Sequence, residues 1–226
     1  MSETILITGA SRGIGRALAE AASAQGLSVI GTQRGAADPI PGVETMALDV
    51  TDAAGPAALA TALGDRPVDI LVCNAGIYEG RGRIGEPAFA AEAWARTFAV
   101  NVAGVFLTIE ALLPALRRAG HVGGRPRIGV ISSQMGSSER AGGGSYIYRA
   151  SKAAATNLAV NLALDLKGDG IAVAAYHPGW VRTDMGGAQA AIGMEESAAG
   201  LMARLGELTL DRSGGFFMWD GPGIPN

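Results

Sequence analysis

Cysteine is almost missing from this chain. The single thiol among 226 residues, Cys73, excludes an internal disulfide. Its place in the apolar run Ile70-Leu71-Val72-Cys73 reads as a small core residue rather than a nucleophile. Lysine is nearly as scarce, with Lys152 and Lys167 alone against a background of arginine. Charge is thin overall. A charged fraction of 17% and a formal net charge of −3 leave no footprint for nucleic acid or an anionic membrane. No basic leader precedes Thr8-Gly9, and the longest apolar stretch, Phe98 to Leu116, is broken by Asn101, Glu110 and Pro114. That stretch is expected as a buried helix rather than a membrane span, in a cytoplasmic protein. No cluster of side chains has metal-ligand spacing, so no metal is expected. Glycine, by contrast, is abundant at 34 residues, without a Gly-X-Y period or a low-complexity tract. Collagen-like and disordered classes are thereby excluded, and the glycines are left to turns and close backbone approaches.

Short β-rich runs alternate with longer Ala-rich stretches of helical period. Strands are expected over Thr4–Thr8, Ser28–Thr32, Thr45–Leu48, Asp69–Cys73, Arg127–Ser132 and Ile171–Tyr176. Helices are expected near residues 13–25, 52–63, 89–119, 147–167 and 195–207. Near-continuous apolar strands separated by helices imply a parallel sheet covered on both faces. The expected fold is thus α/β, a single doubly wound Rossmann-type domain over residues 1–226. Beyond Lys152 the fourth helix confines its polar groups, Asn157, Asn161 and Asp165, to one narrow stripe. Its apolar surface is wider than one-sided packing needs, which points to a subunit seam and a homodimer or homotetramer.

The opening strand runs straight into Thr8-Gly9-Ala10-Ser11-Arg12-Gly13-Ile14-Gly15 and then a helix. Glycines there let the backbone approach a pyrophosphate, and the helix N-terminus offers free N–H groups and a partial positive charge. The spacing is Gly-x-x-x-Gly-x-Gly, and no Gly-Lys-[Ser/Thr] ending follows, so a P-loop is excluded. A plain tight turn would use the same glycines; the position after the first strand is what favours a dinucleotide.

Lys152 stands four residues after Tyr148, one helical turn away on the same face. An ammonium beside a phenol favours the phenolate and lowers a pKa that is ordinarily about 10. Tyrosine thereby becomes a usable acid and base near neutrality. Ser133 ends the fifth strand, where sites of open α/β sheets lie, and its hydroxyl can donate to a substrate carbonyl. No Gly-x-Ser-x-Gly elbow surrounds it, which argues against a serine hydrolase. Neither His121 nor His177 has an evident acid partner, and neither is expected to be catalytic.

With these residues in hand, the chain resembles the short-chain dehydrogenase/reductase family over essentially its whole length. The resemblance implies a parallel sheet of seven strands and a cofactor turn of Gly9, Ser11, Arg12, Gly13, Ile14 and Gly15. It implies that Asp49 bonds the adenine with Val50 beside it, and that Asn74, Ala75 and Gly76 border the cofactor. Cys73 replaces the first asparagine of that Asn-Asn-Ala-Gly motif. Phe98 to Gly104 puts Asn101 where the family's catalytic asparagine lies, on a helical kink linked through water to the lysine. Ser133, Tyr148 and Lys152 complete the tetrad, Tyr148 and Lys152 also touching the cofactor. Pro178, Gly179, Val181 and Thr183 match the segment that holds the nicotinamide carboxamide. His177-Pro178-Gly179-Trp180-Val181-Arg182-Thr183-Asp184 and the C-terminal Gly-Phe-Phe-Met-Trp-Asp-Gly look most like the C-factor and sniffer-like carbonyl reductases.

The implied reaction is reversible hydride transfer between a nicotinamide and the carbonyl or alcohol carbon of a small-molecule substrate. Gln134, Met135, residues 137–144, Tyr78, Trp180 and Met185 are the expected pocket walls, suited to a medium-sized, fairly apolar compound. The second strand ends Gly31-Thr32-Gln33-Arg34, with Gln33 where NAD-preferring relatives carry an acid. Arg34 and Arg12, with the Ser11 hydroxyl, are placed to receive a 2′-phosphate, so NADP(H) is expected over NAD(H), which remains usable. The competing expectation is a non-catalytic dinucleotide sensor or signalling protein on the same fold.

Overall fold

A computed structural model describes residues 2–225. β1 (Thr4–Ile7), β2 (Ser28–Gln33), β3 (Val43–Ala47), β4 (Ile70–Cys73), β5 (Arg127–Ile131), β6 (Ala172–His177) and β7 (Phe216–Met218) form one sheet. Its order is β3-β2-β1-β4-β5-β6-β7, and every pairing is parallel. β1, β4, β5 and β6 are buried almost throughout, which explains why they read as unbroken apolar runs rather than alternating ones.

The helices are α1 (Gly13–Ala24), α2 (Gly55–Leu63), α3 (Ala91–Phe98), α4 (Gly104–His121), α5 (Tyr146–Asp165) and α6 (Met194–Gly206). The period-2 pleat sorts the core into two layers. Ile5, Ile7 and Val72 meet Leu18 of α1 and Leu201 and Leu205 of α6 on one face. Leu6, Leu71, Ile128 and Val173 meet Leu112 and Leu116 of α4, Ala155 and Ala159 of α5, and Leu59 of α2 on the other.

Two features depart from the pattern read along the sequence. The helix expected over 89–119 is three pieces, because a five-residue π segment, Ala99–Ala103, separates α3 from α4. The seventh strand spans only three residues, too few for a periodic signal. The run Ala91–His121 is apolar and long enough to cross a membrane, yet its Val105, Ile109, Leu112 and Leu116 are spent on the sheet. β1 and β4 are neighbours from which the chain winds in opposite directions, so a crevice opens at their carboxyl ends.

Candidate active site

The crevice is built first from the turn after β1. The Thr8 hydroxyl accepts from the N–H groups of Asn74 and Ala75, both at 3.0 Å. Asn74 Nδ2 returns two bonds, to the Thr8 and Gly9 carbonyls at 3.0 and 3.1 Å. The ends of β1 and β4 are thereby laced together. A Cβ on Gly15 would overlap the Gly9 carbonyl and Asn74 Nδ2, so only glycine lets α1 start this close to the strands. Gly9 and Gly13 hold φ of 68° and 59°, the left-handed region that glycine enters freely. No side chain caps α1 and no acid occupies its first turn, which leaves its N–H groups for an anion.

A cleft of about 780 Å³ opens beyond this turn. Gly9, Ser11, Arg12, Gly13, Ile14 and Gly15 form its floor, and Arg34, Asp49 and Val50 one wall. Asn74, Ala75, Gly76, Pro178, Thr183, Tyr148 and Lys152 close the rest. Two expected cofactor residues stand behind this lining. Gly179, at φ 90°, backs onto the Trp219 ring, where a Cβ would lie 3.1 Å from ring atoms. Val181 is buried and bridges Ile192. They support the segment that carries Pro178 and Thr183. The glycine-lined turn, the uncapped helix and the volume of the cleft together fit a dinucleotide.

Arg12 and Arg34 differ in their company. Arg12 Nη1 lies 2.8 Å from Asp184 Oδ2, both side chains exposed, so the pair spans the mouth of the cleft. Arg34 makes no ion pair among the described residues, although its charge helps hold the Asp49 carboxyl below the usual range. The larger cause there is Thr51, whose N–H and hydroxyl both donate to Asp49 Oδ1, at 2.9 and 2.7 Å.

Four nearly buried side chains converge beside this cleft: Tyr148 and Lys152, which line it, with Ser133 and Asn101 next to them. Asn101 lies in the π segment, where the extra residue per turn swings it toward the β4 loop. Its Oδ1 accepts from Ile77 N at 2.9 Å, and its Nδ2 donates to the Ile77 carbonyl and to Ser151 Oγ. Ser133 follows β5 and its Oγ accepts from Met135 N at 3.2 Å. Gly136 completes that bend, packed so closely on α5 that a Cβ would sit 2.6 Å from Ala153 N.

Lys152 Nζ donates to the Ile131 carbonyl at 2.7 Å and lies 5.7 Å from the Tyr148 ring centroid. The expected lowering of the phenol by this ammonium is not the dominant effect. Burial pushes Tyr148 up to about 12, with the Ser133 hydroxyl drawing it back down. Burial also pushes Lys152 down to about 8. Desolvation by burial disfavours the charged form of each group and dominates both shifts. His177 is buried, pushed down to about 4 by desolvation, and therefore neutral. Trp180 is half-exposed and donates to the Gly186 carbonyl at 2.9 Å, outside the sheet core. Thr8, which opens the cofactor turn, and Ser151, which belongs to no spacing that sequence reasoning weighs, hold the site together. Thr8 acts on backbone groups distant along the chain, and Ser151 on distant Asn101 while its own hydroxyl donates to the Tyr148 carbonyl one turn back.

The chain matches the short chain dehydrogenase family over residues 3–191. It belongs to the short-chain dehydrogenases. Within them it is 36% identical to the C-signal of Myxococcus xanthus over 169 residues, 74% of this chain and 98% of that one. Among solved structures it is similar to the carbonyl reductase Sniffer of D. melanogaster, with a TM-score of 0.92, 28% identity and full coverage of both chains. The NADPH-bound carbonyl reductase from chicken fatty liver gives the same TM-score at 27% identity, covering 100% of this chain and 94% of that one. As a short-chain dehydrogenase the molecule is an oxidoreductase, with relatives in the C-factor and sniffer-like group.

Proposed function

We propose that this short-chain dehydrogenase is an NADP(H)-dependent carbonyl reductase or alcohol dehydrogenase for small to medium, fairly apolar substrates. The observation that carries the proposal is that Tyr148 and Lys152 line a dinucleotide-sized cleft, with Ser133 beside the phenol and Asn101 beside Gly76 next to the lysine. The bound nicotinamide supplies hydride. Ser133 orients the carbonyl and donates to its oxygen as negative charge builds there. Tyr148 gives its proton to that oxygen in reduction and takes it back in alcohol oxidation. Its raised pKa keeps it protonated at neutral pH, the form that reduction requires. Lys152 would hold the ribose hydroxyls of the bound dinucleotide, and Asn101 keeps the β4 loop in register with α5. The NADP(H) preference is supported by the uncommitted Arg34 and the lack of an acid at Gln33. The NADPH held by a similar carbonyl reductase adds support. We further propose a cytoplasmic homodimer or homotetramer, on the apolar residues that α4 and α5 leave exposed: Phe106, Leu107 and Leu164.

Two measurements test this reading. A panel of aldehydes and ketones is followed by nicotinamide absorbance, and Tyr148→Phe is expected to lose about two decades of kcat with cofactor affinity retained. Retained turnover would remove the catalytic assignment, and no turnover in wild type would favour the non-catalytic sensor. The ratio of kcat/KM with NADPH to that with NADH is expected above one; a ratio at or below one overturns the reading of Arg34.

A further inference from the structure

The loop after β4 is fastened to the start of α5 in an unusual way. Tyr78 lays its ring on that of Tyr148, centroids 4.2 Å apart and planes 23° from parallel. Arg81 sets its guanidinium carbon 4.4 Å from the Tyr78 centroid and donates to the Met185 carbonyl across the cleft. The Tyr78 hydroxyl meets Ser145 Oγ at 2.7 Å. Ser145 precedes α5 and is of the residue type that caps helices, yet it makes no capping bond. It holds φ 47°, and among the described residues it alone of the non-glycines has positive φ. Such a backbone persists only where its surroundings over-determine it. The surroundings here are Tyr78 on the hydroxyl and Gly82, whose carbonyl accepts from Ser145 N at 2.9 Å. Gly80 lets the loop come so near that a Cβ there would lie 2.7 Å from Ile147 Cδ1.

We propose that Tyr78 and Arg81 are positioning residues for Tyr148: the stacked ring fixes the phenol beside Ser133, and the guanidinium, seated on the Tyr78 ring and bonded to the Met185 carbonyl, holds that ring in place. The inference rests on Tyr148 as the proton-transfer group. A tyrosine in the first turn of a helix can swing about two torsions, and a ring stacked on its face removes that freedom. Ser145 gives up its cap to hold Tyr78 in place, which simple lining of a pocket would not require. The groups acting on the phenol come from three elements. Ser133 faces it from the end of β5, Tyr78 and Arg81 from the β4 loop, and Lys152 from α5 itself. Arg81 draws the phenol down while the Tyr78 hydroxyl pushes it up, so the loop carries two opposed levers.

The test uses 4-nitrobenzaldehyde, or whichever aldehyde or ketone of the panel turns over fastest, and the matching alcohol. The pH dependence of kcat is measured in both directions for wild type, Tyr78→Phe, Tyr78→Leu, Arg81→Met and Arg81→Lys. Removing the cation makes the phenolate harder to form. Arg81→Met is therefore expected to move the titration of kcat to higher pH by roughly half a unit, and Arg81→Lys to restore it. Tyr78→Leu is expected to lower kcat about tenfold or more with cofactor KM unchanged, as misplacement of a reacting group does. Tyr78→Phe keeps the stack and should lose less. Profiles for Arg81→Met and Tyr78→Leu that superimpose on wild type, or losses confined to substrate KM, overturn the inference. Tyr148→Phe run alongside separates the two failures. If it is inactive while the loop variants behave as wild type, only this inference falls; if it is active, the catalytic reading falls and takes the inference with it.

Discussion

Lys152 sits where an ammonium is costly, almost wholly buried and bonded to one backbone carbonyl. Its pKa, pushed from the ordinary 10.5 down to about 8, corresponds to a cost of about 3 kcal/mol at neutral pH. Because the folded value lies below the unfolded one, the unfolded chain binds more protons between those limits. Stability therefore rises with pH across that window. Lys152→Met should abolish turnover and weaken cofactor binding while leaving the apoprotein at least as stable as wild type at pH 7, since losing the Ile131 bond offsets only about 1–3 kcal/mol. Its stability advantage should shrink as pH climbs from about 8 toward 10.5, read from denaturant unfolding at several pH values. A wild-type stability parallel to the variant across that range would contradict the buried-charge account. The spacing of Tyr148 and Lys152 is legible in the sequence because an i, i+4 pair shares a helix face. What the lysine bonds to is not, since the Ile131 carbonyl belongs to a strand twenty-one positions away and has no side-chain signature. The direction of the phenol's shift is equally hidden, for it depends on how deeply the fold buries Tyr148.

Elements were legible in proportion to their periodicity. Strands such as β4 and β5 announce themselves as apolar runs, and α1 follows a turn whose glycines mark its start. Periodicity alone does not show the π segment, because one inserted residue barely disturbs an apolar stripe; the kink at Asn101 is expected only from the family resemblance, and the π segment lies there. The seventh strand that the resemblance implies could not be located by pattern, because β7 has only three residues and so no period. The start of α1 also yields a prediction. Alanine at position 15 would gain up to about 1 kcal/mol of helix propensity. Overlap with the Gly9 carbonyl and Asn74 Nδ2, neither able to retreat freely, should cost more, about 1–3 kcal/mol. Gly15→Ala is thus expected to lower Tm and weaken NADPH binding together, measured by thermal unfolding with and without the dinucleotide. An unchanged Tm would mean the turn is looser than its hydrogen bonds imply.

For the whole molecule, the exposed faces of α4 and α5 carry the next test. Phe106, Leu107 and Leu164 are large apolar groups left in water by a single chain, on the two helices whose other faces already serve the sheet. Leu158, half-buried on the outward side of α5, should tolerate glutamate as a monomer but not within an apolar seam. Sedimentation is expected to give a dimer or tetramer for wild type and a smaller particle for Leu158→Glu. A wild-type monomer at micromolar concentration would discard the seam.

The lone thiol has one more use. Cys73 lies at the carboxyl end of β4, in the middle of the sheet, sealed from solvent and pushed up to about 12. A thiol so placed is almost never a thiolate and cannot meet a reagent until the sheet itself parts. The molecule thus carries its own gauge of global opening: the rate of alkylation counts excursions to the unfolded chain. Any compound that binds only the closed form slows that rate by the factor 1 + [L]/Kd. NADPH and NADH can therefore be ranked by how long they silence one cysteine, before a single substrate is known.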